Sequence, residues 1–190
     1  IMTNAALDLA INGEGFFAIQ NPNNPDELKY TRNGSINLTN EGELVTMDGF
    51  KYLDDEGNGI KIPFTVVDSK ENIRRLSAIN VAANGSIQVD YGQGVSVKVA
   101  TVGLSTFKDE TKLRNDGNTN YIVTPDSGQP VLSAPQDSAT GTGSIQSGAL
   151  EAANVDTTNE IARLLRAQQA FSGSSRIMQA DVDMIRRLID

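Results

Sequence analysis

The sequence predicts a mainly β chain, with an antiparallel body in a meander or barrel-like arrangement followed by one long C-terminal α-helix. Three observations support this prediction. Turn dipeptides of the Asn-Gly and Asp-Gly type recur between short apolar runs. Apolar side chains in the same region alternate at period two, as half-buried strands require. From Thr157 to Ile189 no proline occurs and Gly173 is the only glycine, which favours an uninterrupted helix.

The body is expected to contain hairpins at four turn dipeptides. These dipeptides tolerate positive φ, which suits two-residue turns. They are Asn12-Gly13, Asn33-Gly34, Asp48-Gly49 and Asn84-Gly85. Alternating apolar residues predict further half-buried strands within residues 60–66, 87–91 and 95–99. Residues 126–148 are rich in Ser, Gly, Thr, Pro and Gln, so we expect loops or an extended return there.

The helix is expected to follow this connector directly. Thr157 and Glu160 form a capping-box pattern, and a helix of about 30 residues from there would be roughly 45 Å long. The predicted organisation is therefore a β-rich body with its connector over residues 1–148 and a helical segment over residues 149–190. Because Ile1-Met2 leads almost at once into a strand-like pattern, we expect an N-terminal segment to precede it in a longer chain.

Apolar residues of the helix recur at alternating steps of three and four, the a/d pattern of a coiled coil. The nine positions of this seam are Ile161, Leu164, Gln168, Phe171, Ser175, Met178, Val182, Ile185 and Ile189. An amphipathic helix lying on its own β body is the alternative. A narrow seam sustained over four heptads suits another helix better than the face of a sheet. We therefore predict that the seam is a partner-helix interface, in which Gln168 and Ser175 either set the register or are merely tolerated.

Composition excludes several classes of chemistry. Sixteen Lys and Arg against 24 Asp and Glu give a net charge of −8, so no global basic field attracts nucleic acid or an anionic membrane. Cysteine, histidine and tryptophan are absent, which removes disulfides, thiolate or imidazole metal sites and the usual nucleophile and base pairs. No apolar run is long enough to span a membrane, and no signal-peptide pattern is visible. We expect no enzyme activity, cofactor, metal or small-molecule substrate.

Three motif matches in the sequence are weak. Residues 13–18 fit G-x-G-x-x-A, but a dinucleotide fingerprint opens a helix, whereas Phe16 begins a strand-like run. The stretch from Asp54 imitates the start of a calcium loop, yet its twelfth position, Thr65, lacks the necessary carboxylate. Asn-x-Ser/Thr triplets are interpreted as turn chemistry rather than glycan acceptors.

Four blocks of the sequence resemble bacterial flagellar rod and hook proteins. The first block reads Leu-Asp-Leu-Ala-Ile-Asn-Gly-Glu-Gly-Phe-Phe over residues 7–17. The order and spacing of the blocks along the chain also resemble that family. The other blocks are residues 30–35 with 40–49, residues 104–128, and residues 148–156 with Glu160 and 167–171. The resemblance implies an axial protein whose β domain faces outward and whose terminal helices, one N-terminal and one C-terminal, pair in the inner tube of the rod.

What this resemblance implies about function is a structural subunit of the flagellar basal body. Such a subunit is exported through the cell envelope and polymerises with copies of itself and with neighbouring rod and hook subunits to transmit torque for motility. The short body favours the distal-rod class, with a proximal-rod paralogue as the alternative. A hook-junction component and a secreted carbohydrate-binding or adhesive β module are the remaining interpretations.

Overall fold

A computed structural model describes residues 2–3, 5–67, 71–151 and 157–189. The chain divides into two compact units, residues 1–151 and residues 152–190. The first unit, called the body below, contains all the described strands, and the second contains a single described helix.

The body is assembled from short strands and one turn of 3-10 helix, Glu110–Lys112. In chain order the described strands are β1 (Leu9–Asn12), β2 (Phe16–Asn21), β3 (Asn24–Thr31), β4 (Asn37–Leu38), β5 (Leu44–Val45), β6 (Lys51–Tyr52), β7 (Thr65–Val67), β8 (Ile73–Arg75), β9 (Ala78–Val81), β10 (Ser86–Asp90), β11 (Ser96–Thr101), β12 (Leu104–Thr106), β13 (Arg114–Asn115), β14 (Asn120–Ile122), β15 (Val131–Ser133) and β16 (Ser144–Ser147).

These strands form four antiparallel sheets in the part of the chain that the structure describes. The largest has nine strands and runs in the order β13-β14-β3-β2-β6-β5-β4, with β12 joining β2 to β15. A three-stranded sheet has the order β11-β10-β9, and two ribbons pair β1 with β16 and β7 with β8. The mainly β, antiparallel prediction is confirmed, and the path of the large sheet is open.

Strand β2 lies at the centre of the body because both of its faces are covered. The run Phe16–Ile19 is buried at every position, as expected of an apolar run without alternation. Phe17 belongs to the larger apolar cluster and meets the ring of Tyr52 edge to face, with ring centroids 5.8 Å apart. Phe16 belongs to the smaller cluster and meets Phe107 in the same way at 5.9 Å. Both cores therefore depend on this one strand.

The predicted alternation is confirmed in part. Ile87 and Val89 are buried in β10, and the first two apolar residues of 60–66 are buried as well. Phe64 is exposed, because the chain leaves the core there to form the ribbon of β7 and β8. Val97 is also exposed, since β11 is an edge strand of its sheet.

Two of the four expected hairpins are confirmed. Asp48-Gly49 joins β5 to β6, and Asn84-Gly85 joins β9 to β10. The predictions at Asn12-Gly13 and Asn33-Gly34 are wrong. Strand β1, which precedes Asn12-Gly13, pairs with β16 from the far end of the body, and the amide of Leu9 donates to the Gly34 carbonyl over 2.9 Å. Neither dipeptide therefore joins two paired strands as a hairpin turn, and both lie beside long-range contacts.

Two successive turns of the large sheet have the same construction. The Gly42 amide donates to the Thr39 carbonyl, and the Gly49 amide donates to the Thr46 carbonyl, both over 3.0 Å. The amide after each glycine donates to the threonine hydroxyl, and both glycines have φ of 84°. Their surroundings differ. A Cβ added at Gly42 would lie 2.1 Å from the Ile62 carbonyl oxygen, whereas one at Gly49 would meet no atom within 4 Å.

The second unit is one helix, α1 (Thr157–Ile189), of 33 residues. At 1.5 Å per residue its length is about 50 Å. The predicted long helix without a break is confirmed. The capping-box prediction at Thr157 lies outside the residues whose side chains the structure describes.

Candidate assembly interface on the C-terminal helix

The nine seam positions all fall within the single uninterrupted helix α1. The side chains of Leu164 and Phe171 are 59% and 75% exposed, and those of Ile161 and Met178 are exposed to a similar degree. Gln168 is exposed and Ser175 half-buried. The helix thus presents large apolar groups to solvent along this line. The side chains of the last three seam residues, Val182, Ile185 and Ile189, lie outside those that the structure describes.

A helix of this kind gains most of its stability from covering its apolar side. Isolated helices are marginal in water, because nucleation is costly and each residue adds little. Burying seven apolar seam residues at about 1.5 to 3 kcal/mol each would contribute roughly 10 to 20 kcal/mol before entropic costs. The described part of the helical unit contains no second element that could bury the seam.

Among the side chains of α1 that the structure describes, three large, exposed apolar ones lie off the seam, and the a/d pattern did not reveal them. They are Leu165, Ile177 and Met184. Ile177 and Met184 are seven residues apart and therefore share a side of the helix. At 100° per residue, Ile177 is about 200° around the helix from Ser175 of the seam. The second half of α1 thus has apolar groups on two sides, which is typical of a helix contacted by more than one neighbour.

The two ends of the body chain run side by side. Strand β1 pairs antiparallel with β16, with Ile11 opposite Ile145. The contact continues outward, because the Thr3 amide donates to the Gly148 carbonyl over 2.8 Å and Met2 forms a bridge with Ala149. Residues 126–148, where loops or an extended return were expected, contain the short strands β15 and β16 with loops around them. The chain enters and leaves the body at neighbouring points.

Arg32 fixes the point at which the chain leaves the body. Its Nη2 donates to the Gly13 carbonyl over 2.8 Å, and its Nε donates to the Glu151 carboxylate over 2.9 Å. The guanidinium also lies 5.5 Å from the ring centroid of Phe16, within the range of a cation–π contact. Arg32 therefore ties the turn after β1 to the last described residue of the body. Arg32 lies in the block of residues 30–35 that carries the family resemblance, but the sequence alone did not predict these contacts.

Several carboxylates of the body form hydrogen-bonded surface contacts. Three of them have a pKa below the usual range because a neighbour donates to the ionised form. The pairs are Glu27 with Asn21, Asp109 with Thr111, and Asp116 with Lys29. A general acid for glycoside hydrolysis needs a raised pKa, and these shifts go in the opposite direction. The contacts are structural in character.

The motif matches of the sequence have structural explanations. Residues 13–18 lead into β2 rather than a helix. The Asp54 carboxylate accepts hydrogen bonds from the amides of Glu56 and Asn58 at 3.0 and 2.7 Å, so it shapes its own turn. Among the described residues, no group of three or more acidic side chains is arranged to hold a metal ion. No described helix has the length and apolarity to cross a membrane.

Two family models match this chain. Residues 10–89 match the flagellar hook protein FlgE/F/G D1 domain, and residues 146–190 match the flagellar basal body rod FlgEFG protein C-terminal region. The first match begins at the second residue of β1 and ends at the fourth residue of β10. The second match includes the last two residues of β16 and all of α1.

Curated relatives are similar along nearly the whole chain. The flagellar basal-body rod protein FlgG of Bacillus subtilis is 32% identical over 188 residues, which is 99% of this chain and 66% of the relative. The flagellar basal-body rod protein FlgF of Caulobacter vibrioides is 32% identical over 189 residues, with the same coverage. FlgG of the same organism is 31% identical over 186 residues, 97% of this chain and 64% of the relative. The chain spans just under two thirds of the length of these relatives.

Proposed function

Because the chain belongs to the flagellar hook and basal-body rod family, we propose that it is a non-catalytic structural subunit of the basal-body rod. The observation that carries the proposal is the exposed apolar seam of α1, which lies within the segment that matches the family's C-terminal model. In this role α1 packs against helices of neighbouring subunits, and the β body supplies the surrounding contacts.

The proposed partners are copies of this chain and neighbouring rod and hook subunits, and the proposed location is the basal body. Torque passes through the stacked subunits. No nucleic acid, lipid bilayer or small-molecule substrate takes part. Copies of the chain suit this role because a polymer repeats the same helix contact many times. Many weak contacts of this kind together give a stable assembly.

Two classes of rod protein fit the comparisons. The FlgG relative of Bacillus subtilis and the FlgF relative of Caulobacter vibrioides are both 32% identical to this chain. We place the chain in the distal-rod, FlgG-like class on the strength of its several FlgG relatives, with the proximal-rod class as the alternative. A hook component is the second candidate function, since the first family model also covers hook protein.

Fractionation of purified basal bodies tests the proposed location. An epitope inserted between Gln93 and Gly94 suits this purpose, because a Cβ added at Gly94 would meet no atom within 4 Å. We expect the tagged protein to remain with the basal body after the hook and filament have been removed. Loss of the tag together with the hook would contradict the rod assignment and favour a hook component.

A further inference from the structure

The ribbon of β7 and β8 carries an exposed apolar patch that neither core uses. Val67 and Ile73 are 63% and 72% exposed and lie directly opposite each other in the register. Directly opposed side chains have Cβ atoms about 5 Å apart, so the two form one continuous patch. Phe64 and Leu76 at the base of the ribbon, with Thr65 and Arg75, line a shallow groove beside it.

The ribbon is held in place from its other face. Val66 packs against the main core, and the Leu76 amide donates to the Phe64 carbonyl over 2.8 Å. No other described strand pairs with β7 or β8. The exposed pair is thus presented on a fixed support.

The charge of the ribbon contrasts with that of the body. Residues 65–75 contain three basic and two acidic residues, a net charge of +1, whereas the rest of residues 1–151 has a net charge of −9. Both arginines of the ribbon, Arg74 and Arg75, lie in β8. Arg75 is exposed beside the groove. An apolar patch bordered by a cation on an otherwise acidic protein fits an acidic partner. A second copy of this chain supplies such a surface.

The symmetry of this contact follows from the charges. If two ribbons met each other across a two-fold axis, Arg75 of one copy would approach Arg75 of the other, and like charges oppose such an arrangement. The ribbon must then meet a different surface of the second copy. Contacts of this head-to-tail kind generate open polymers instead of closed dimers.

The acidic turn at residues 54–56 is the complementary surface. Asp54-Asp55-Glu56 is the only run of three consecutive acidic residues in the sequence. Asp54 is used to shape the turn, and no ion pair within the described residues involves Asp55 or Glu56. Their carboxylates can therefore meet a cation from outside.

The ribbon and the acidic turn lie at opposite ends of β10. At one end, the Ser77 amide beside the ribbon donates to the Asp90 carbonyl over 2.8 Å. At the other end, Ser86 pairs with Thr101, whose carbonyl accepts from the Asp55 amide over 3.1 Å. Five residues of strand separate these ends by roughly 14 Å. A donor surface and an acceptor surface at opposite ends are what a head-to-tail contact requires.

We propose that the β7–β8 ribbon of one copy docks on the acidic turn of residues 54–56 of the next copy, through the patch of Val67 and Ile73 and the cation of Arg75. This contact deepens the proposed function, because it is a body contact between subunits that is separate from the α1 seam.

Cross-linking tests the proposal directly because the chain contains no cysteine. Copies with Thr65→Cys, an exposed position of the ribbon that leaves Val67 and Ile73 intact, are mixed with copies carrying Glu56→Cys and treated with a short bismaleimide. All copies also carry Leu164→Asp and Phe171→Asp, so that the seam does not contribute. We expect the mixed dimer to exceed both homodimers. Arg75→Glu should lower its yield on the order of tenfold, and Asp55→Lys in the Glu56→Cys partner should restore it.

A matched control uses Met47→Cys in place of Glu56→Cys, since the Met47 side chain is 82% exposed in another turn of the same sheet. Mixed-dimer yields equal to this control would overturn the proposal, as would a dominant homodimer of the Thr65→Cys copies. Because the seam is disabled throughout, a failure here leaves the proposed rod function standing. Conversely, the cross-linking result does not depend on the fractionation experiment, so a failure of the rod assignment would not decide whether this contact forms.

Discussion

Aspartate in place of both Leu164 and Phe171 is expected to abolish incorporation of the protein into the basal body and, with it, swimming. Each substitution removes an apolar side chain worth about 1.5 to 3 kcal/mol when buried. Each also places a carboxylate in a helix interface, where an unpaired charge is far more costly than at a surface. The two positions are one heptad apart, so both act on the same partner.

The matched control places two aspartates off the seam. Ala162 and Gln169 are also seven residues apart and neutral, so the control has the same added charge and nearly the same cost in helix propensity. Motility on soft agar and recovery of the protein with basal bodies are the measurements. Equal loss of swimming with both pairs would mean that acidity of the helix, and not the seam, causes the defect.

The second large effect is expected in the body, where Gly42→Ala should reduce the free energy of unfolding by about 2 to 5 kcal/mol. Alanine at positive φ costs about 1 to 2 kcal/mol. At Gly42 the new Cβ would also lie 2.1 Å from the Ile62 carbonyl oxygen, and forcing atoms into a packed site typically costs a further 1 to 3 kcal/mol. The carbonyl is backbone, so it cannot move aside as a side chain could.

Gly49→Ala is the matched control, because Gly49 has the same φ of 84° and open space around it. It should cost only the conformational part, about 1 to 2 kcal/mol. All four tyrosines lie in the body, so tyrosine fluorescence during urea unfolding reports on the body without interference from α1. Equal urea midpoints for the two variants would contradict the steric conflict between a Cβ at position 42 and the Ile62 carbonyl oxygen.

The long helix was predictable because its signals are local. A repeat of three and four, the absence of proline and the polar start near Thr157 all act within a few turns of the chain. The turns at Asp48-Gly49 and Asn84-Gly85 were predictable for the same reason. The pairing of β1 with β16 was not, because it joins residues far apart in sequence and nothing near Asn12-Gly13 records it.

The two candidate surfaces, the seam of α1 and the patch of Val67 and Ile73, also differ in whether local sequence signals predict them. The seam of α1 follows from spacing alone, although Ile177 and Met184 escaped notice because they fall outside the a/d pattern. The patch of Val67 and Ile73 could not be foreseen, since it depends on the register that places these two residues opposite each other. The sequence around Val67 and Ile73 is polar and charged, and such a sequence does not indicate which apolar side chains of the neighbouring strands will be exposed.

The most direct test of the central claim, that the seam of α1 requires a partner helix, is circular dichroism of the 190-residue chain over a concentration series. The account predicts that helicity rises with protein concentration as copies order one another's helices, and that Leu164→Asp with Phe171→Asp removes this rise. Full helicity that does not change with concentration would contradict the account.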